Sequence, residues 1–222
     1  MSVTPVPQQH RTHWSPDARA LDLVGDRWTL LVVRELSGGP RALGDLERAL
    51  AGCPPEQLHA LIQRMIANGL LTRRSHGTIS PAVVYELTDR SRALLPVIGA
   101  LARWSYAWRW TSPRDTDIVD IGAILRIAPG LLHPPVRLRA VAELTVRIDA
   151  GTCERYALTI EGGATTIARC ADANADVRIS GSQEDWVSAL GPLVDRGGLR
   201  VDGEQWLATI VLDAISAQDR DR

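Results

Sequence analysis

The 222 residues contain no lysine and no phenylalanine, so all 25 basic side chains are arginine. Without an ε-amine the chain cannot form a Schiff base, and lysine covalent catalysis is excluded. The uniform use of arginine reads as a nucleotide-composition bias, since no physical requirement removes lysine from every position. Cysteine is scarce: Cys53, Cys153 and Cys170 are odd in number and widely spaced, with no CxxC or CxxH pattern to build a structural zinc site. No run reaches the 18 or more apolar residues of a membrane span. Thr4–His13 is polar and proline-rich rather than an apolar leader. These absences set the expectation of a soluble protein in a reducing, cytoplasmic compartment, with no membrane partner.

Enzyme signatures are missing too. There is no GxSxG, no HExxH, no P-loop and no GxGxxG opening a helix. His10, His13, His59, His76 and His133 show no ligand spacing beyond the His10/His13 pair. Glu184-Asp185 sits at a helix start, where carboxylates favour the positive end of the helix dipole. The expectation is a protein that is not an enzyme, with no catalytic residues, no metal site and no cofactor.

What is present is an asymmetry of charge. Residues 1–112 carry 13 arginines against 9 acids, and residues 113–222 carry 12 against 17. A mildly basic half joined to an acidic half suits a nucleic-acid module with a different partner domain. Ser15-Pro16 opens a first helix, and Trp28, Leu31, Val32 and Leu36 mark a second, ended by Gly38-Gly39-Pro40. A short helix follows over Ala42–Leu50. Leu58, Leu61, Ile62, Met65 and Ile66 then fall at i, i+3, i+4, i+7 and i+8, one apolar face of a helix closed by Asn68-Gly69. Leu70–Ser75 and Val83–Leu87 read as a strand pair, with His76-Gly77 in the turn. Thr88 caps a long helix to about Trp110, with Leu94, Ile98, Leu101, Ser105 and Trp108 along one side and Pro96 marking a kink or a late start. Three helices, a two-stranded ribbon and a further helix is the winged-helix order.

Beyond a polar hinge at 111–117 and a helix over Ile118–Ile127, the period changes to two. Leu144, Val146 and Ile148 alternate with polar residues, as do Tyr156, Leu158 and Ile160, and the pattern continues through Thr165–Cys170 and Asp176–Ser180. This predicts an antiparallel meander with one buried face. Ser182 and Asp185 form a capping-box start for a helix bearing Trp186 and Leu190. Leu199–Val201 is a short strand, and Glu204–Ile215 a last helix with Leu207, Ile210, Val211 and Ala214 inward. The fold class is α+β: an N-terminal winged helix-turn-helix domain (1–112), followed by an α+β domain (113–222) with an antiparallel sheet covered by helices.

The segment from Ala20 to Leu36, with Gly25-Asp26-Arg27-Trp28 at its centre, resembles the HxlR family of winged-helix regulators. Gly69–Arg74, Tyr85–Thr88 and Arg92–Pro96 extend the match over about 14–110. Ala175–Ser180, the helix after it, Leu199–Glu204 and the terminal helix are similar to a sterol carrier protein type-two-like domain over about 118–216. The first resemblance implies a homodimer that binds double-stranded DNA through the Pro55–Asn68 helix. Gln57, His59, Gln63 and Arg64 would then face the groove, and Arg41, Arg73, Arg74 and His76 would contact phosphate. It also implies a dimer surface on the N-terminal arm and the long helix. The second implies an apolar cavity for a hydrophobic small molecule, aromatic ones included. Trp104, Trp108, Trp186 and Trp206 are its candidate contacts, since aromatic side chains suit flat apolar ligands. The chain departs from the HxlR pattern at His59 and Leu61, where serine and arginine are usual, and at Ala42-Leu43, where a basic-aromatic pair is usual. It also has Ser15 where a cysteine is common. Those changes motivate the alternative of a drug- or metabolite-sequestering protein on a winged-helix scaffold with weakened or lost DNA binding.

Overall fold

A computed structural model describes residues 15–76, 82–109, 111, 113–114, 116–117, 119–149, 151–191 and 193–216. The N-terminal arm, the tip of the turn after His76, and Trp110 lie outside the described residues.

The first helix, α1 (Pro16–Val24), starts where Ser15 and Pro16 predict it, with the Ser15 hydroxyl accepting from the Ala18 N–H at 3.3 Å. Asp26 opens α2 (Thr29–Ser37): one carboxylate oxygen accepts from the N–H groups of Trp28 and Thr29 at 2.9 and 3.0 Å, and the other takes the Thr29 hydroxyl. A two-residue strand, β1 (Arg41–Ala42), precedes α3 (Leu43–Ala49) and α4 (Pro55–Ala67). The end of α4 is fixed by Gly69, whose φ of 68° lets the chain turn back. Gly69 N–H donates to Ile66 O at 2.9 Å and Leu70 N–H to Met65 O at 2.8 Å, the paired closure of a Schellman turn. Strands β2 (Leu71–His76) and β3 (Ala82–Leu87) form the wing, and β1 joins on the far side of β3.

The long helix predicted from Thr88 is two helices, α5 (Asp89–Arg92) and α6 (Leu95–Arg109). Pro96 takes the second position of α6, where no helical N–H is required. Leu94 and Ile98 turn inward as the spacing predicts, but Leu101 and Trp108 remain exposed.

The C-terminal half begins with α7 (Ile121–Arg126), capped by Asp120, and α8 (Ala128–Leu131). Strands β4 (Ala140–Arg147), β5 (Cys153–Glu161), β6 (Ala164–Arg169), β7 (Val177–Ser182) and β8 (Arg200–Gly203) form one sheet in the order β6-β5-β4-β7-β8. The expected antiparallel meander is corrected here, because β7 pairs parallel to β4, with Leu144 opposite Ile179. Alternation decides which face a side chain takes, and it does not decide which strand lies alongside. After β6 the chain crosses to the other side of β4, held on the way by Ala173 N–H donating to the Glu143 carboxylate at 3.0 Å and by Arg178 donating to Ala173 O at 2.9 Å. Helices α9 (Gln183–Leu190) and α10 (Gln205–Ile215) pack on β4 and β7, and α8 packs on β6. The capping box at Ser182 and Asp185 is formed as predicted. On α10, Leu207 and Val211 are buried, whereas Ile210 faces outward.

The two halves share one continuous apolar core. Gly99 on α6 and Gly130 on α8 pack backbone against backbone across the two halves. A Cβ at Gly99 would stand 2.2 Å from Gly130 O, and one at Gly130 would stand 2.0 Å from Leu95 O. Two further bonds pin α2 to the C-terminal half: Ser37 Oγ donates to Arg126 O at 2.7 Å, and Arg169 N–H donates to Gly38 O at 3.1 Å.

Candidate functional site

The apolar stripe of α4 does what its spacing predicts: Leu58, Leu61, Ile62 and Met65 are buried. The opposite side is open, and Gln57, His59, Gln63 and Arg64 are all exposed. Leu61, where the HxlR pattern usually carries arginine, is buried in the core as its place in the apolar stripe predicts.

Several basic side chains around α4 and the wing lie against acids. His59 Nε2 lies 2.9 Å from Glu47 Oε1, and Arg64 donates to Asp26 Oδ2 at 3.0 Å. On β2, Arg73 and Arg74 are exposed, and Arg74 pairs with Glu86 at 2.8 Å. His76 ends the strand opposite Ala82. The burial that Asp26 gains with folding would raise its pKa. The Thr29 hydroxyl, the N–H groups of Trp28 and Thr29 and the Arg64 charge outweigh that effect, and the carboxyl sits below its usual 3.8.

Arg41 is a correction. The sequence places it at a phosphate, but its side chain is only 13% exposed and its guanidinium lies 3.1 Å from Glu35 Oε2. Glu35 is fully buried and gathers two more arginines, Arg34 at 2.8 Å and Arg126 at 2.9 Å. Arg126 also reaches Asp120 at 3.0 Å and donates to the Tyr156 oxygen at 2.7 Å. Tyr156 in turn donates to Glu154 Oε2 at 2.8 Å, and Glu154 pairs with Arg169. This chain of charges, buried at Glu35 and Arg126 and open at Asp120 and Arg169, joins α2 to α7 and the sheet. Burial pushes the Arg41 guanidinium down, and the positive charge of Arg126 pushes the same way against Glu35. Burial acts on Arg126 likewise, but Glu35, Tyr156 and Asp120 overcome it and hold its pKa up. Arg169 is lowered by burial and by Arg41 and Arg126, and burial raises the Tyr156 phenol.

Beside this network a cleft of about 1140 Å³ opens between the two halves. Trp28 lines it, and none of the four tryptophans proposed as ligand contacts does. Trp186 is corrected to a core residue, fully buried with its indole N–H donating to Thr145 O at 3.0 Å. Trp206 is half exposed, its indole N–H on Glu204, and Trp104 and Trp108 project from α6 into solvent. The sequence reading missed Glu35, Arg126 and Tyr156. A signal existed for Glu35, because it shares the buried stripe of α2 with Val32 and Leu36. Among the described residues no cluster of His, Cys, Asp or Glu is arranged to hold a metal ion, and no helix is long and apolar enough to cross a membrane.

The N-terminal elements define a winged helix-turn-helix protein. The model of the HxlR-like helix-turn-helix family matches residues 23–113. An uncharacterized HTH-type transcriptional regulator of Synechocystis sp. is 34% identical over 96 residues, covering 43% of this chain and 71% of the relative. One of Mycobacterium bovis is 37% identical over 95 residues, covering 43% of this chain and 60% of its own. Two solved structures overlap the same share of the chain: the redox regulator HypR in its reduced form (23% identity, 43% of this chain and 94% of that one, TM-score 0.40), and the reduced form of YodB from B. subtilis (21% identity, 44% and 96%, TM-score 0.40). The chain belongs to the HxlR-like helix-turn-helix family.

Proposed function

We propose that the chain is a dimeric, ligand-responsive transcriptional regulator. Residues 1–112 bind double-stranded DNA, and residues 113–222 take up a hydrophobic small molecule. The observation that carries the DNA half of this reading is the free polar side of α4. Gln57, His59, Gln63 and Arg64 face solvent beside the wing arginines Arg73 and Arg74, while the apolar side is locked into the core. An α-helix of that shape fits the major groove, and flanking cations hold phosphate. Relatives described as HTH-type transcriptional regulators support the same reading.

The dimer half rests on α6. Val97, Leu101, Trp104 and Trp108 recur at helical spacing and are 46, 51, 58 and 76% exposed, a stripe that a second copy would bury. Two copies would present their α4 helices to two half-sites about one helical turn apart. The likeness of residues 118–216 to sterol carrier protein type-two-like domains supports the ligand half. Linkage requires DNA to alter ligand affinity by the same factor that ligand alters DNA affinity. Footprinting of the full chain on the DNA upstream of its own coding sequence tests this reading, and no protection at low salt would defeat it.

One observation favours a sequestering protein with little DNA affinity. Arg64 and Arg74 are each engaged by an acid, which lowers the charge free to meet phosphate. Quenching of tryptophan fluorescence by an aromatic natural product, without DNA binding, would select that reading.

A further inference from the structure

We infer that the ligand site is the cleft between the two halves, and that it takes an amphipathic organic anion, an apolar body carrying one acidic head. This rests on the reading above that a small molecule binds the chain. It moves the site from the interior of the C-terminal fold to the seam and adds a charge to the ligand.

The cleft has two kinds of wall. Leu31 of α2, Ile124 of α7 and Val187 of α9 are partly exposed and supply an aliphatic side, backed by the buried Val146 and Leu190. Arg34, Arg41, Arg126 and Arg169 supply the other. The exposed lining is close to half polar, a more charged mixture than most small-molecule sites, and a volume of about 1140 Å³ is ample for a multi-ring or long-chain ligand together with water.

The cleft carries one more cation than acid. Six arginines line the cleft against four carboxylates, and the buried Glu35 behind them makes five. Three of those guanidiniums converge on the single Glu35 carboxylate. Arg41 and Arg169 are both held below the ordinary guanidinium value, first by burial and then by neighbouring positive charge, whereas the acids around Arg126 hold it up. An anionic head placed there removes that repulsion, and arginine's planar fork binds carboxylate or sulfonate oxygens in pairs. A neutral ligand of the same body gains nothing from these residues.

The position also gives a route to the DNA face. Leu50, Ala51 and Gly52 line the same cleft, and they lead through Cys53 into the first turn of α4. An occupant long enough to run along the cleft would touch the segment that leads into α4.

The test uses 8-anilinonaphthalene-1-sulfonate and its neutral counterpart N-phenyl-1-naphthylamine, both of which brighten in apolar sites, titrated into the full chain. The sulfonate should bind at one per chain and about tenfold more tightly than the neutral dye, the margin of one charge-assisted contact. R41Q and R169Q should each remove about that tenfold for the sulfonate and leave the neutral dye unchanged, and V187W should weaken both dyes by filling the aliphatic side. Circular dichroism checks each fold. Arg169 is half exposed, so R169Q supplies the reading if R41Q does not fold. Equal affinity for the two dyes, no response to the arginine changes, or no response to V187W overturns the proposal. DNA binding is measured separately: a chain that holds the sulfonate but no duplex defeats the regulator reading alone, and one that binds duplex but not the sulfonate defeats this inference alone.

Discussion

Glu35 and Arg126 meet at 2.9 Å with both side chains buried, and the pair bridges the winged-helix half and the C-terminal half. A buried ion pair is a poor source of stability compared with apolar packing, but removing one partner is costly because the other is left charged and dry. Here the two partners are not equivalent. Glu35 is the only carboxylate facing Arg34 and Arg41 in the ion pairs of the described residues, whereas Arg126 has Asp120 as a second acid. E35Q should therefore cost about 3–5 kcal/mol, and R126M clearly less, since Glu35 keeps two guanidiniums. Urea unfolding of both variants at neutral pH checks the order; equal losses would mean that the node is not centred on Glu35.

The glycine contact between α6 and α8 admits no side chain. G99A must push a methyl group into the Gly130 carbonyl, and backbone cannot step aside as a flexible side chain can. A loss of about 1–3 kcal/mol is expected, read by thermal unfolding. An unchanged melting temperature would show that the seam is looser than described.

Asp26 ties the start of α2 to Arg64 of α4. Its carboxyl titrates lower in the folded chain than in the unfolded one, so its contribution is complete above the unfolded value near 3.8 and fades as pH falls through the folded value. D26A should cost about 1 kcal/mol at neutral pH, the usual worth of a helix cap. The gap between variant and parent should close in acid below pH 3.8. A gap that persists there would assign the loss to packing rather than to the charge.

The stripe on α6 predicts association. L101R places a charge at the centre of the exposed apolar side and should convert a dimer to a monomer in sedimentation velocity. DNA affinity should fall at least about tenfold, as expected when two half-sites are no longer held together. A parent chain that is already monomeric would remove the dimer from the account.

What the sequence made legible was what local chemistry controls. The apolar side of α4, the Asn68-Gly69 stop, the Ser15 cap and the Ser182-Asp185 capping box follow from residues within one or two turns of each other. The parallel pairing of β4 with β7 does not, because a period of two says nothing about which strand is the neighbour. Arg41 illustrates the same limit for the site. As a lone cation before a short helix it reads as a phosphate contact, and only the fold brings Glu35 and Arg126 to it. Tryptophan composition pointed to a ligand, yet burial placed Trp186 in the core and left Trp104 and Trp108 in solvent. The cleft itself is lined by short segments from both ends of the chain, so no contiguous pattern could announce it.

The exposed side of α4 is tested most directly by equilibrium binding of the full chain to the DNA upstream of its coding sequence, against a scrambled duplex of the same length at fixed salt. The account predicts a preference of about a thousandfold or more for the upstream site. Q63A or R64A should reduce that preference by about 1–3 kcal/mol, whereas R73A should weaken both duplexes alike and lower the salt dependence by about one unit. Equal affinity for the two duplexes, untouched by Q63A and R64A, would contradict it.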